Sequence, residues 1–192
     1  MKLLKNRKFA VVLTVAIAII ATLFGVHKSL NRLAGDVEAL FYNGIYNEKE
    51  GYTEPSIDSQ LKKQSDAVLG FVTIARNYPQ LEAQAEKLRL ARAALLDAGS
   101  IKDKAAANSQ MLSAFNGCTD IIATLDALSA RDKDALDSYS KTFSGAAGVI
   151  DTSKAQYNVE VAGFLDGRSY SNLAHMLRPL AFVTPPEPFV NN

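Results

Sequence analysis

Eighteen consecutive residues near the start of the chain, 9–26, carry no charge, and only Thr14 and Thr22 among them have polar side chains. As a helix at about 1.5 Å per residue they cover roughly 27 Å, close to the ~30 Å thickness of a bilayer core. After this run the apolar residues thin out to steps of three and four: Val26, Leu30, Leu33, Val37 and Leu40, stopping near Asn43-Gly44. That spacing is one face of an α-helix, so the pattern predicts a membrane helix that continues into water as the first helix of a bundle, without a hinge. A polar, breaker-rich stretch at 47–56 reads as a loop.

The longest stripe follows: Ile57, Leu61, Gln64, Val68, Phe71, Ala75, Tyr78, Leu81, Ala85, Leu88, Ala91 and Leu95, every step three or four. Pro79 interrupts it in sequence but not in phase, which leaves either one kinked helix or two helices sharing a face. Gly99 stands where a left-handed C-cap is wanted, and Ser100 with Asp103 resembles a capping box. A third helix carries Leu112, Phe115, Cys118, Ile122, Leu125 and Leu128. A fourth carries Leu136, Tyr139, Phe143, Ala147, Ile150, Tyr157, Val161 and Phe164. The short 129–132 turn makes these two antiparallel neighbours. Pro179, Pro185, Pro186 and Pro188 exclude a regular helix to the end, so a short helix near 172–177 gives way to an extended, polyproline-like tail. No stretch alternates apolar and polar residues strictly, so no β-strand is predicted.

The expected class is therefore all-α, a transmembrane helix running into a long antiparallel bundle of the four-helix type. The expected divisions are a basic segment at 1–8, the anchor at 9–26, a coiled-coil-like helical domain at 27–178 and a Pro-rich tail at 179–192. A length of 192 residues suits a single core, and 48% hydrophobic with 21% charged residues suits a folded chain. The net charge of +1 hides an asymmetry, because Lys2, Lys5, Arg7 and Lys8 precede the apolar run with no acid among them. Setting those four aside leaves 17 basic residues against 20 acidic, a net −3. A body with that balance offers no basic face to a nucleic acid. Four basic residues before the run, against Lys28 and Arg32 just after it, favour a cytoplasmic N-terminus and an extracytoplasmic bundle. The run exceeds the h-region of a signal peptide and ends without a small-x-small site, so the anchor is expected to stay uncleaved.

Candidate chemistry is sparse. A di-iron bundle needs Glu-x-x-His pairs, but the two histidines are His27 at the membrane edge and His175, which is preceded at the required spacing by Asn172. Cys118, the only cysteine, cannot form an internal disulfide and lies on an apolar stripe, as a small buried hydrophobe would. Ser138, Ser140 and Ser144 lack any nucleophile-elbow context. The acids Asp132, Asp134 and Asp137 lack the glycine of a Ca²⁺ loop and suit the positive end of a helix. Gly145 and Gly148 in a helix interior each cost roughly 0.5–1 kcal/mol, and either a close helix approach or a ligand groove would offset that. Close packing is the expected reason. No catalytic, cofactor-binding or metal-ligating residue is therefore assigned.

Three stretches together resemble the LemA family of bacterial membrane-anchored helical proteins. They are the basic N-terminus and apolar run followed by Ser29-Leu30 and Val37-Glu38-Ala39-Leu40-Phe41, the segment 59–72 with its Ser59-Gln60-Leu61-Lys62 start, and Tyr157-Asn158-Val159-Glu160-Val161 within 154–164. The chain departs from the family's pattern at Phe164-Leu165, where Phe-Asn is usual, and at Phe41-Tyr42-Asn43-Gly44, where a tryptophan is usual. The resemblance implies an antiparallel bundle on a single-pass anchor, with no catalytic residues to carry over. The expected function is a non-enzymatic scaffold or interaction module in the bacterial cytoplasmic membrane. It would contact the bilayer through 9–26 and a protein partner or a second copy through the bundle. The alternative is an extracytoplasmic sensory bundle that takes a small ligand near Gly145–Gly148.

Overall fold

The first helix, α1 (Arg7–Asn43), runs 37 residues without a break. A computed structural model describes residues 7–48, 51–126 and 128–190; Lys2 and Lys5 of the basic segment lie outside the described residues. The most apolar 18-residue window of α1 has a mean hydropathy of 2.7 and none of it is buried, so this helix is long and apolar enough to cross a membrane. Farther along the same helix Leu30, Ala34, Val37 and Phe41 are buried, on the three-and-four spacing of the sequence. The helix ends where expected. Gly44 takes φ +85, and a side chain there would collide with the carbonyl of Glu54.

Residues 49 and 50 of the loop expected at 47–56 lie outside the described residues, and the rest of it is more ordered than the sequence indicated. Tyr46–Asn47 (β1) and Tyr52–Thr53 (β2) pair antiparallel, Tyr46 with Thr53 and Asn47 with Tyr52, and Gly51 turns between them with φ +72. Two-residue strands are too short to show an alternating pattern. The class remains all-α.

Pro79 splits the long stripe into two helices. Ser56 caps α2 (Ile57–Ala75), its hydroxyl accepting from the Ser59 N–H at 3.2 Å, and α3 (Pro79–Asp97) starts with the proline at its first position, where no backbone donor is needed. The phase survives the break: Ile57, Leu61, Gln64, Val68, Phe71 and Ala75 on α2 and Leu81, Ala85, Leu88, Ala91 and Leu95 on α3 are all buried. The two helices form an antiparallel hairpin, in which Arg92 Nε donates to the Ser65 carbonyl at 2.8 Å. Across the turn, Glu86 is held down to about pKa 2 by hydrogen bonds from Arg89 and Arg76.

The serine half of the capping box is present, for Ser100 Oγ accepts from the Asp103 N–H at 3.0 Å at the head of α4 (Ile101–Ile122). Gly99 is not the left-handed cap that was expected, because the chain already leaves α3 in an extended conformation at Ala98. The buried face of α4 runs through Ala105, Asn108, Met111, Phe115 and Cys118, so Met111 takes the core position in place of Leu112. The helix also stops at Ile122, short of Leu125 and Leu128, and α5 (Ala130–Leu165) begins after a longer connection. Within α5 Leu136, Phe143, Ile150, Tyr157, Val161 and Phe164 are buried as the spacing indicates, while Ala146 replaces Ala147 and Tyr139 is half-buried. A short α6 (Asn172–Leu177) and an extended tail follow, as the prolines require.

Contacts divide the described residues into two compact units. The first holds residues 7–38 and 160–186. In it Gly167, φ +74, closes α5 in a Schellman motif: the Arg168 N–H reaches the Gly163 carbonyl and the Gly167 N–H the Phe164 carbonyl. The second holds 39–159 and 187–190, and its core is aromatic. The rings of Phe71 and Phe115 lie 5.1 Å apart, and those of Phe115 and Phe143 stack at 3.9 Å and 15°. Phe115→Ala and Phe143→Ala are each expected to destabilise this unit by about 3–5 kcal/mol, the usual cost of truncating a buried Phe. Chemical denaturation monitored by circular dichroism measures it, and losses under about 1 kcal/mol at both positions would contradict a buried stack.

Candidate functional site

The residues singled out in the sequence do not converge. Cys118 is fully buried on α4, and burial pushes its thiol up to about 11, so it stays protonated near neutrality and is a poor nucleophile. His27 is half-buried on α1, with Nδ1 2.8 Å from the Ala181 carbonyl and the Asn31 amide against its ring. His175 lies on α6 with Nδ1 3.5 Å from the Tyr170 hydroxyl. Ser138 and Ser144 are exposed and Ser140 is half-buried. Asp132 accepts the Tyr78 hydroxyl at 2.6 Å, and this bond, with that to Ser129, holds its carboxyl below the usual carboxylate range. Among the described residues no three His, Cys, Asp or Glu side chains gather in a way that could hold a metal ion.

The glycine pair on α5 is not a close helix contact. Gly145 and Gly148 are exposed, and no atom lies within 4 Å of where a Cβ would stand on either. With Tyr52, Glu54, Val149 and Thr152 they border an open recess of about 420 Å³. Close approach occurs instead at Gly70, whose missing side chain makes room for the Tyr139 ring, and at Gly117, which makes room for Gln84. Neither was evident from the sequence, because a helical glycine does not announce which neighbour it admits.

The most densely built polar cluster was also missed. Asp58, in the first turn of α2, is 7% exposed and pairs with Lys104 at 2.5 Å and Lys62 at 2.7 Å. Burial raises the Asp58 carboxyl, but the hydrogen bonds and charges of the two lysines outweigh that and leave it below its ordinary value. The Lys104 ammonium also stands 5.5 Å from the Phe41 ring centre and 5.0 Å from that of Tyr42, within cation–π range. One lysine thus ties α4 to α2 and to the end of α1. Beside it Asp58, Lys104, Ser65, Leu61 and Leu95 border a recess of about 120 Å³. The Ser65 hydroxyl there is buried without a partner, as are both amide atoms of Gln64 and of Asn108. Gln64 had a signal in the sequence, a polar residue on an apolar stripe; Asn108 had none.

The Tyr157-Asn158 pair has a structural task in the second unit. Tyr157 donates to the Glu187 carbonyl at 2.7 Å, and the Asn158 amide both donates to the Phe189 carbonyl and accepts from the Phe189 N–H, each at 2.9 Å. An asparagine used in this way imitates a neighbouring strand, satisfying both backbone groups of an extended residue. Phe189 is thereby buried against Phe41, 5.6 Å between ring centres, and Glu187 accepts from the Lys102 N–H at the head of α4.

Asp58→Asn should cost about 1.5–3 kcal/mol at neutral pH, the range for hydrogen bonds to charged groups. Because the folded carboxyl titrates below its ordinary 3.8, this contribution is complete above that value and lost as pH falls below it. The gap between the two proteins in urea titrations should therefore close in acid, and a gap that stays constant would refute the ion pair. Gly70→Ala should destabilise, whereas Gly145→Ala and Gly148→Ala should each stabilise by about 0.5–1 kcal/mol, since the exposed pair has only its conformational freedom to lose. Thermal melts distinguish the two classes. No family model matches the chain, and no curated protein does.

Proposed function

We propose that this chain is a non-enzymatic, membrane-anchored scaffold or interaction protein of the LemA type. Residues 9–26 hold it in a bacterial cytoplasmic membrane, with its N-terminus inside and its helical bundle outside. The observation that carries this reading is α1: none of its apolar window is buried, and the same unbroken helix goes on to bury Leu30, Ala34 and Val37. An apolar surface of that extent calls for lipid. The polar groups of the bundle support a structural role, since Ser56, Ser100 and Ser129 cap helices, Lys104 ties three together, and Tyr157 and Asn158 hold the tail. Leu69, Leu90 and Leu96 are exposed on α2 and α3 and offer apolar footholds to a partner.

Affinity recovery of the detergent-extracted full-length protein should bring down one specific protein or a second copy; repeated recovery of the chain alone as a monomer would argue strongly against a scaffold. Orientation is tested by adding protease to intact spheroplasts. The bundle should be cut while a cytoplasmic marker survives, and protection that ends only on lysis would reverse the topology.

A second reading rests on Gln64, Ser65 and Asn108, whose buried polar atoms have no partners within the protein. Such groups are costly when unpaired, at about 1–3 kcal/mol each, and a small polar ligand within the bundle would satisfy them. Under this sensory reading a thermal-shift screen of the full chain finds a stabilising small molecule, and Asn108→Ala abolishes the shift. A screen without hits would leave the scaffold alone.

A further inference from the structure

In the first unit the segment after α5 leaves its largest apolar side chains exposed while its one full charge is turned toward the protein. Leu173, Met176 and Leu180, at helical spacing, are 64%, 74% and 61% exposed, and Phe182 is 87% exposed. Phe182 also adopts φ +50, a left-handed conformation that costs energy for any residue but glycine. Arg178 is the only full charge from 172 to 186, and its guanidinium donates to the Leu165 carbonyl at 2.9 Å and the Tyr170 hydroxyl at 3.2 Å.

Several backbone groups of the same stretch find partners within the unit. The Leu180 and Ala181 N–H groups reach the Leu177 carbonyl, the Ala181 carbonyl accepts from His27 Nδ1, Pro179 has no N–H, and the Thr184 N–H reaches Asn31 Oδ1 at 3.2 Å. Irregular backbone is tolerated at membrane depth only when its polar groups are satisfied by protein in this way. Position agrees with that requirement. Leu177 and Leu180 share a recess of about 340 Å³ with Val15, Ala18, Ile19 and Leu23 of α1. Measured back from Val26 at about 1.5 Å per residue, Leu23 lies ~4 Å and Val15 ~16 Å inside the apolar run.

We infer that residues 172–182 are a membrane foot, inserted beside the anchor into the leaflet that holds the C-terminal half of the apolar run. Leu173, Met176, Leu180 and Phe182 stand among acyl chains, and an acyl chain fills the recess. This rests on the reading of 9–26 as a bilayer anchor. Lipid is the occupant because the recess opens on the anchor's own exposed apolar surface and is continuous with it. His27 and Asn31 are positioning residues that hold the foot to the anchor.

The chain has no tryptophan, so a single introduced one reports its own surroundings. Full-length Met176→Trp and Phe182→Trp, at side chains that face outward, are reconstituted in phosphatidylcholine–phosphatidylglycerol vesicles with or without brominated acyl chains. Phe24→Trp marks the anchor, and Tyr46→Trp, exposed in the second unit, is the aqueous control. Met176→Trp and Phe182→Trp should show blue-shifted emission and lose intensity in brominated vesicles as Phe24→Trp does, while Tyr46→Trp keeps its intensity. Quenching of Phe24→Trp without quenching of the other two overturns the foot and leaves the anchor standing. Blue-shifted but unquenched emission at Phe182→Trp means that a second copy covers the patch, and this also overturns the foot. An unquenched Phe24→Trp removes the anchor reading itself.

Discussion

Three phenylalanines from three helices, Phe71, Phe115 and Phe143, meet in the second unit, and the register of its helices depends on that meeting. The Phe115–Phe143 pair is stacked and the Phe71–Phe115 pair tilted, geometries worth about 0.5–1.5 kcal/mol each beyond the area they bury. A stack at 3.9 Å leaves little freedom for one helix to slide past the other. Gly70, the residue before Phe71, then admits the Tyr139 ring one turn away from Phe143, which brings α2 against α5 at the same level. With these three helices fixed, α3 follows as the antiparallel return of α2, and Pro79 supplies the break that lets it return.

Polar residues close this frame at its ends. Lys104 collects Asp58 and two aromatic faces, so the heads of α2 and α4 and the end of α1 share one ammonium group. Tyr157 and Asn158 grip the backbone at 187 and 189, and Phe189 fills the space beside Phe41. The interior of the bundle is the reverse, since the side chains of Gln64, Ser65 and Asn108 are buried and their polar atoms have no partner in the protein. A core meant only for stability would place apolar side chains there.

The first unit follows a different solvent logic. Large apolar side chains are exposed on its stretch of α1 at 9–24, on α6 and on the following turn, while hydrogen bonds run inward through His27, Asn31, Tyr170 and Arg178. In water that arrangement is unfavourable; against acyl chains it is what the missing hydrogen-bonding capacity of the solvent imposes. On the proposed reading, anchor and foot are two parts of one lipid-facing surface. The strained backbone at Phe182 then has a use, since it presents a ring to lipid.

Most of the helices are legible in local pattern alone. The three-and-four spacing located α1, α2, α3 and α5, Asn43-Gly44 marked the end of the first, Ser100 with Asp103 the start of α4, and the prolines the end of regular structure, because all of these are set by neighbours within a few residues. It could not decide what depends on residues far apart. Whether Pro79 kinks or splits, whether Met111 or Leu112 faces inward, and that Gly70 and Gly117 rather than Gly145 and Gly148 are closely approached are settled by which helix packs opposite. Asp58 and Lys104, 46 positions apart, meet only because α3 returns the chain and brings the heads of α2 and α4 to the same end. Leu177 and Leu180 meet Val15 and Leu23 across more than 150 residues, a juxtaposition that no local pattern encodes and that tertiary packing alone creates.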